Sequence, residues 1–176
     1  MYDLIIIGAG LAGSTAAIAA DHEGIKTLVV TKTLLEFYTE DELGFINLRQ
    51  IEEKIKLVIK NSRCVSFKNK SEAMGLDKQI VSFAVEQKNG QVDYAKNVLI
   101  TIGGGPVDFE TLTQKTIGGK IKVDADQKTS VPGIWAAGEV CNAEPKTSLV
   151  YAGEAVKAVL GVKLEKNKQT LTKPLT

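Results

Sequence analysis

Three glycines, Gly8-x-Gly10-x-x-Gly13, lie between an apolar run, Tyr2–Ile7, and an alanine-rich stretch from Leu11 to about Glu23. The run is interrupted only at Asp3, as expected for a strand buried on both faces. Each glycine has its own duty there. Gly8 lets the chain turn sharply out of the strand, Gly10 lets the backbone come close to a pyrophosphate, and Gly13 lets a helix pack tightly on the sheet. The helix start, with Ala9, Leu11 and Ala12 around Gly10, offers N–H groups and a partial positive charge to phosphates. Gly24 stands in the usual helix-stop position, and Lys26–Thr31 returns as a second buried strand. An accidental glycine cluster at a tight turn is the plain alternative. The strand–turn–helix–strand order is what makes the pattern evidence for a bound dinucleotide.

Further on, the sequence predicts a less regular connection over 33–47, with a solvated acidic run at Glu40-Asp41-Glu42. Asn47 reads as the cap of a helix whose apolar stripe is Ile51, Ile55, Val58 and Ile59. Arg63–Phe67 reads as a third strand. Gln79–Glu86 and Gln91–Ala95 flank Lys88-Asn89-Gly90, a strong hairpin signal. Asn97–Ile102, Lys120–Asp124 and Ile134–Ala136 read as strands, and Ser148 to about Leu160 as a closing helix. The expectation is one domain over 1–162 and a frayed Lys/Thr-rich tail over 163–176.

With 176 residues, 44% hydrophobic, 24% charged and a net charge of +1, the chain can bury one core and carries no general field for nucleic acid or anionic membrane. No apolar run approaches the roughly 20 residues that span a bilayer. The first strand begins directly after Met1, leaving no room for a signal peptide, so a cytoplasmic protein is expected. Cys64 and Cys141 suggest neither a disulfide framework nor a zinc site.

Residues 129–140 read Thr-Ser-Val-Pro-Gly-Ile-Trp-Ala-Ala-Gly-Glu-Val. Together with the glycine fingerprint they resemble the FAD-binding domain of the thioredoxin reductase family. The resemblance implies an α/β, FAD/NAD(P)-binding Rossmann-like domain: a parallel sheet with helices and a small antiparallel β-meander. It also implies FAD as cofactor, with Glu139 accepting from a ribitol hydroxyl and the Gly138–Val140 backbone near the pyrophosphate. The family usually has Asp at position 139, so this carboxylate sits one methylene further out. Lys146-Thr147-Ser148 takes the place of the helix start that faces the flavin, where relatives have Arg-Gln. Thr101-Ile102-Gly103 matches the family's Ala-Thr-Gly loosely, and Val65 on the third strand joins the expected cofactor-binding positions.

There are departures from the family pattern. The ribose-binding carboxylate expected at the end of the second strand is replaced by Thr31-Lys32. Thr31 takes that contact, or Glu36 reaches back, or Lys32 favours a 2′-phosphate and hence NADP, or Lys32 is a solvated surface residue; the last is preferred for Lys32. The family's Gly-Gly-Gln stretch has no counterpart between Leu34 and Phe45. About 17 residues separate Gly103 from Lys120, too few for the nicotinamide domain of two-domain relatives, which needs roughly 50 or more. No Cys-x-x-Cys occurs to run disulfide exchange. Cys141 reads as a buried apolar residue before a redox centre, His22 as solvated and Trp135 as core. No catalytic residue stands out. Three functions remain: a flavoprotein oxidoreductase taking electrons from a nicotinamide nucleotide or a redox protein, and pairing as a homodimer as relatives do; a non-catalytic FAD module; or, more weakly, a NAD(P)-binding protein.

Overall fold

The computed structural model describes residues 1–34, 47–102, 119–142 and 147–171. The elements run β1 (Tyr2–Ile7), α1 (Leu11–His22), β2 (Thr27–Val30), α2 (Leu48–Asn61), β3 (Val65–Lys68), β4 (Ala73–Lys78), β5 (Phe83–Gln87), β6 (Val92–Ile100), β7 (Ile134–Ala136) and α3 (Ser148–Leu171). The described strands form one sheet in the order β3-β2-β1-β6-β5-β4, with β7 also on β6. Pairs among β3, β2, β1, β6 and β7 are parallel, whereas β4–β5 and β5–β6 are antiparallel. This is the Rossmann-like α/β architecture with a small meander that the sequence implies.

Alternation along the central strands sorts their side chains into two cores. Leu4, Ile6, Val29, Leu99 and Trp135 face the helices, where they meet Ala16, Ala17 and Ala20 of α1 and Ala155, Ala158 and Val159 of α3. Ile5, Ile7, Leu28, Val30, Val98, Ile100 and Ile134 face the other way and meet Leu76, Phe83 and Val85 of the meander. Burying an Ile or Leu fully is worth about 1.5–3 kcal/mol, so both faces contribute heavily. Alanines on α1 keep its packing surface shallow, which lets α3 lie close beside it.

β6 joins the two layers. Its first residues pair with β5 (Val92 to Glu86, Ala95 to Phe83), and its later ones run between β1 and β7 (Val98 to Ile5 and to Ile134). Sequence patterning splits this strand at Asn97, whose side chain is nearly buried and donates to the Asp3 carbonyl at 3.2 Å. A polar residue satisfied inside the sheet does not end a strand.

Other expectations are corrected. β4 had no sequence signal, and Gln79–Ser82 is the turn joining it to β5, closed by Gln79 N–H donating to the Ser82 carbonyl at 2.8 Å. Lys120–Asp124 is no strand; it contributes one bridge, Ile121 to Cys141. Ile55 and Val58 of α2 are buried as expected, but Ile59 is exposed. The segment after Lys163 is helical through Leu171 rather than frayed. Lys163 Nζ donates to the Glu23 carbonyl at 2.5 Å and Lys166 Nζ to Asp3 Oδ2 at 2.7 Å, fastening that end of α3 across α1 and β1.

Candidate functional site

At the end of β1 the chain reverses through Gly8 at φ +104°, a conformation that favours glycine. Gly13 is constrained differently. A Cβ there would stand 2.0 Å from the Gly8 carbonyl oxygen and 2.7 Å from Thr101 Oγ1. No side chain fits between helix and turn. Gly10 caps α1 with nothing within 4 Å of where its Cβ would be, so its lack of a side chain answers to no neighbour inside the protein. It leaves open the approach to the first-turn N–H groups, which no intrahelical acceptor satisfies. Ser14 Oγ donates to the Ala9 carbonyl at 3.0 Å and holds the turn from within.

Thr101 fastens this turn from the end of β6. Its N–H donates to the Ile7 carbonyl at 3.0 Å, and its hydroxyl lies 2.9 Å from that oxygen and 3.2 Å from the Gly8 carbonyl oxygen. Its hydroxyl is turned toward these two carbonyls, so its side chain holds the turn in place.

The residues after β7 come to the same place. Ala137 N–H donates to the Ile100 carbonyl at 3.0 Å, and Gly138 follows at φ +85°. A Cβ on Gly138 would lie 2.8 Å from the Ala12 Cβ, so the closing turn touches the first turn of α1. The Gly138 N–H donates to the buried Glu154 Oε2 of α3 at 2.8 Å. Burial pushes the Glu154 carboxyl up, and the Gly138 N–H opposes this only in part. Glu139 is exposed, Val140 is half-buried, and the Glu139 carbonyl accepts from Lys120 Nζ at 2.6 Å.

The remaining expected positions divide. Thr147 and Ser148 open α3, where Thr147 Oγ1 accepts from the Val150 N–H at 3.4 Å. Ile102 is half-buried against the meander-side core. Thr31 is buried at the end of β2 and its hydroxyl donates to the Thr33 carbonyl at 2.5 Å, leaving only its lone pairs for a ribose. Lys32 is exposed, the surface position preferred for it. Val65 leaves the site: it pairs with Thr27 at the far end of β3, about 10 Å from the turn-side end at Lys68, and its side chain is in the helix-side core. Gly103, Lys146, Glu36 and the run Glu40-Asp41-Glu42 lie outside the described residues.

Cys141 is buried in the meander-side core, and its thiol is pushed up to about 12 by burial and by Glu154, against Lys120. Cys64 packs against the helix-side core, so the two free thiols sit on opposite faces of the sheet. His22 is exposed beside Glu23, 3.2 Å away. Trp135 is core, its ring occupying the space that a Cβ on Gly161 would enter at 2.5 Å. Among the described residues no group of His, Cys, Asp and Glu side chains could hold a metal ion, and no helix is long and apolar enough to cross a membrane.

Sequence reasoning missed Glu154 and the fastening role of Thr101. The one available signal for Glu154 was a carboxylate between Gly153 and Ala155 on an otherwise small, apolar helix face.

A glycine turn opening onto a helix start, with a second turn laid against it from across the sheet, defines a dinucleotide-binding domain of the flavoprotein type. Residues 48–158, more than half the chain, match the family described as pyridine nucleotide-disulphide oxidoreductase, and residues 3–35 match the FAD binding domain family. The chain belongs to the pyridine nucleotide-disulphide oxidoreductase family, and its cofactor is FAD. The open face at Gly10 and the crowded contact of Gly138 with Ala12 fit that long molecule.

Among solved structures, a thioredoxin reductase from Gloeobacter violaceus is similar with a TM-score of 0.80 at 14% identity, over 99% of this chain and 98% of that one. A thioredoxin reductase from T. acidophilum gives 0.77 at 16% identity, over 94% and 99%. A ferredoxin-flavin thioredoxin reductase from Clostridium acetobutylicum gives 0.75 at 17% identity, over 97% and 99%. At such identities the likeness is one of fold. No curated protein matches the chain by sequence.

Proposed function

We propose that this chain is a single-domain flavoprotein oxidoreductase that holds FAD across the sheet and takes electrons from an external donor, either a nicotinamide nucleotide or a redox protein. The observation that supports the reading is the contact between Gly138 and Ala12, which brings two segments far apart in sequence to one place. The adenosine end lies toward Thr31 and the flavin toward Glu139, Thr147 and Ser148. Bound FAD supplies the electron chemistry, and the protein binds and orients it. The first-turn N–H groups of α1 hold the pyrophosphate and Glu139 takes a ribitol hydroxyl. Cys141, neutral and buried, takes no part, so Cys141→Ser leaves flavin reduction unchanged.

A redox-protein donor has support in the neighbour described as a ferredoxin-flavin enzyme. We place the protein in the cytoplasm and as a homodimer by analogy with its family. Leu149, Leu160 and Leu164, exposed on one side of α3, offer such a pairing an apolar face.

The test is the visible spectrum of the purified protein after reconstitution, followed by anaerobic titration with NADH, NADPH and reduced ferredoxin. Bleaching at a catalytic rate by one of them supports the oxidoreductase. A bound flavin that none of them reduces supports the second reading, a FAD-binding module whose partner does the chemistry. A colourless protein that takes up no FAD overturns both. The second reading is favoured by the distance between the two thiols, which leaves no disulfide centre among the described residues.

A further inference from the structure

We infer that Glu154 is a positioning residue for the closing turn of the FAD site and that FAD uptake is coupled to protonation of its carboxyl group. The inference rests on the FAD reading above and goes beyond it in naming the residue and the proton.

Glu154 lies on α3 and is 7% exposed. Its side chain accepts a 2.8 Å hydrogen bond from the Gly138 N–H. Gly138 in turn presses on Ala12, where a Cβ would come within 2.8 Å of the Ala12 Cβ. Glu154 is therefore one residue removed from the helix start that would take the cofactor's phosphates. Without an acceptor at this point the buried Gly138 N–H would be unsatisfied, and the turn that carries Glu139 and Val140 would lose this side-chain tether from α3.

The surroundings hold little to compensate a charge. α1 carries no ionisable side chain between Leu11 and Ala20, nor does β6 from Val98 to Ile100, nor β7. The closing turn brings the exposed Glu139 and the Cys141 thiol, the bridge segment brings Lys120 to the Glu139 carbonyl, and α3 itself carries Tyr151 and the exposed Lys157. Burial raises the Glu154 carboxyl, and among the described residues the Gly138 N–H opposes that rise.

A pyrophosphate at the start of α1 adds like charge beside this group and disfavours its ionised form further. A proton from solvent then adds to the carboxylate. The neutral acid still accepts the Gly138 N–H through its carbonyl oxygen, so the tether survives while the charge is lost. The sign follows: the bound state holds the proton more tightly than the free state. Affinity for FAD is therefore full below the free-state pKa and falls as pH rises toward the bound-state pKa, above which it levels.

The experiment measures FAD dissociation constants across pH for the wild-type chain and E154Q. Calorimetry in buffers of different ionisation enthalpy counts the protons. The wild type is expected to weaken with rising pH, by at most about tenfold per pH unit, and to take up protons in the same window. E154Q keeps the acceptor for Gly138 and is expected to bind FAD with no pH slope in that window and no proton uptake. A flat wild-type profile overturns the inference. So does a slope that survives in E154Q, which assigns the proton elsewhere, Glu139 first. Both outcomes leave the FAD reading intact; absence of FAD uptake at every pH overturns that reading and this inference together.

Discussion

The two turns that meet at the candidate site, Gly8–Gly13 and Gly138–Val140, are built on different principles. In the first, Gly13 packs on the Gly8 carbonyl itself, with a Cβ position 2.0 Å from that oxygen, and the neutral hydroxyls of Ser14 and Thr101 hold that backbone in place. The second is held by a side chain from another element, Glu154, and by a glycine pressed on Ala12. A glycine wedged against backbone admits almost no variation in sequence, whereas a turn tethered by a carboxylate can be titrated through its tether. The proposed proton linkage belongs to the second turn for that reason, since its tether, Glu154, is ionisable and the Ser14 and Thr101 hydroxyls of the first are not.

Substitutions break or sharpen this contrast to different degrees. Gly13→Ala has the largest expected effect: neither backbone atom can yield cheaply, and a loss of about 3 kcal/mol or more is expected in urea unfolding. A loss below 1 kcal/mol would mean that the helix can pull away from the turn. Gly138→Ala comes next, combining a left-handed φ with the close Ala12 contact, at a cost of about 2 kcal/mol and a weaker grip on FAD. Here the neighbour is a side chain, so partial relief by α1 is possible and the effect stays below that of Gly13→Ala.

Thr101→Val keeps the shape and removes the hydroxyl that lies against the Ile7 and Gly8 carbonyls. It is expected to cost about 1 kcal/mol, read as a shift in urea midpoint at constant slope. Gly10→Ala is smallest in stability, under about 1 kcal/mol, because its Cβ meets no protein atom. FAD affinity nevertheless falls, by roughly tenfold or about 1.4 kcal/mol, since the new methyl occupies the phosphate approach. Equal affinity in Gly10→Ala and wild type, measured by flavin fluorescence, would move the cofactor away from α1.

Much of this architecture is legible along the chain. The continuous apolar runs of β1 and β2, the alanine face of α1 and the Asn47 cap are all set by residues within a few positions of each other. The meander was only half visible. Ala73–Lys78 carries Met74 outward and Gly75 at a register shift, so β4 lacks the regular alternation that announces a strand. The exposed Ile80 and Val81 imitate strand residues in what is a turn. The frayed tail expected after Lys163 is helix because Lys163 and Lys166 find Glu23 and Asp3, partners that sequence distance hides. Val65 was placed at the site by its strand, but a strand has two ends, and this residue sits at the wrong one.

By itself, then, the sequence determined a strand–glycine turn–helix unit, because backbone sterics and side-chain periodicity act over short stretches of chain; the second motif and FAD were legible through the resemblance to a family. Tertiary structure alone decided that Thr101 locks the turn at Gly8, that Gly138 rests on Ala12, and that Glu154 reaches Gly138. Those contacts join residues up to 126 positions apart, as between Ala12 and Gly138, and depend on how β6, β7 and α3 pack across the sheet. Packing geometry of that kind leaves no local pattern for a sequence to display.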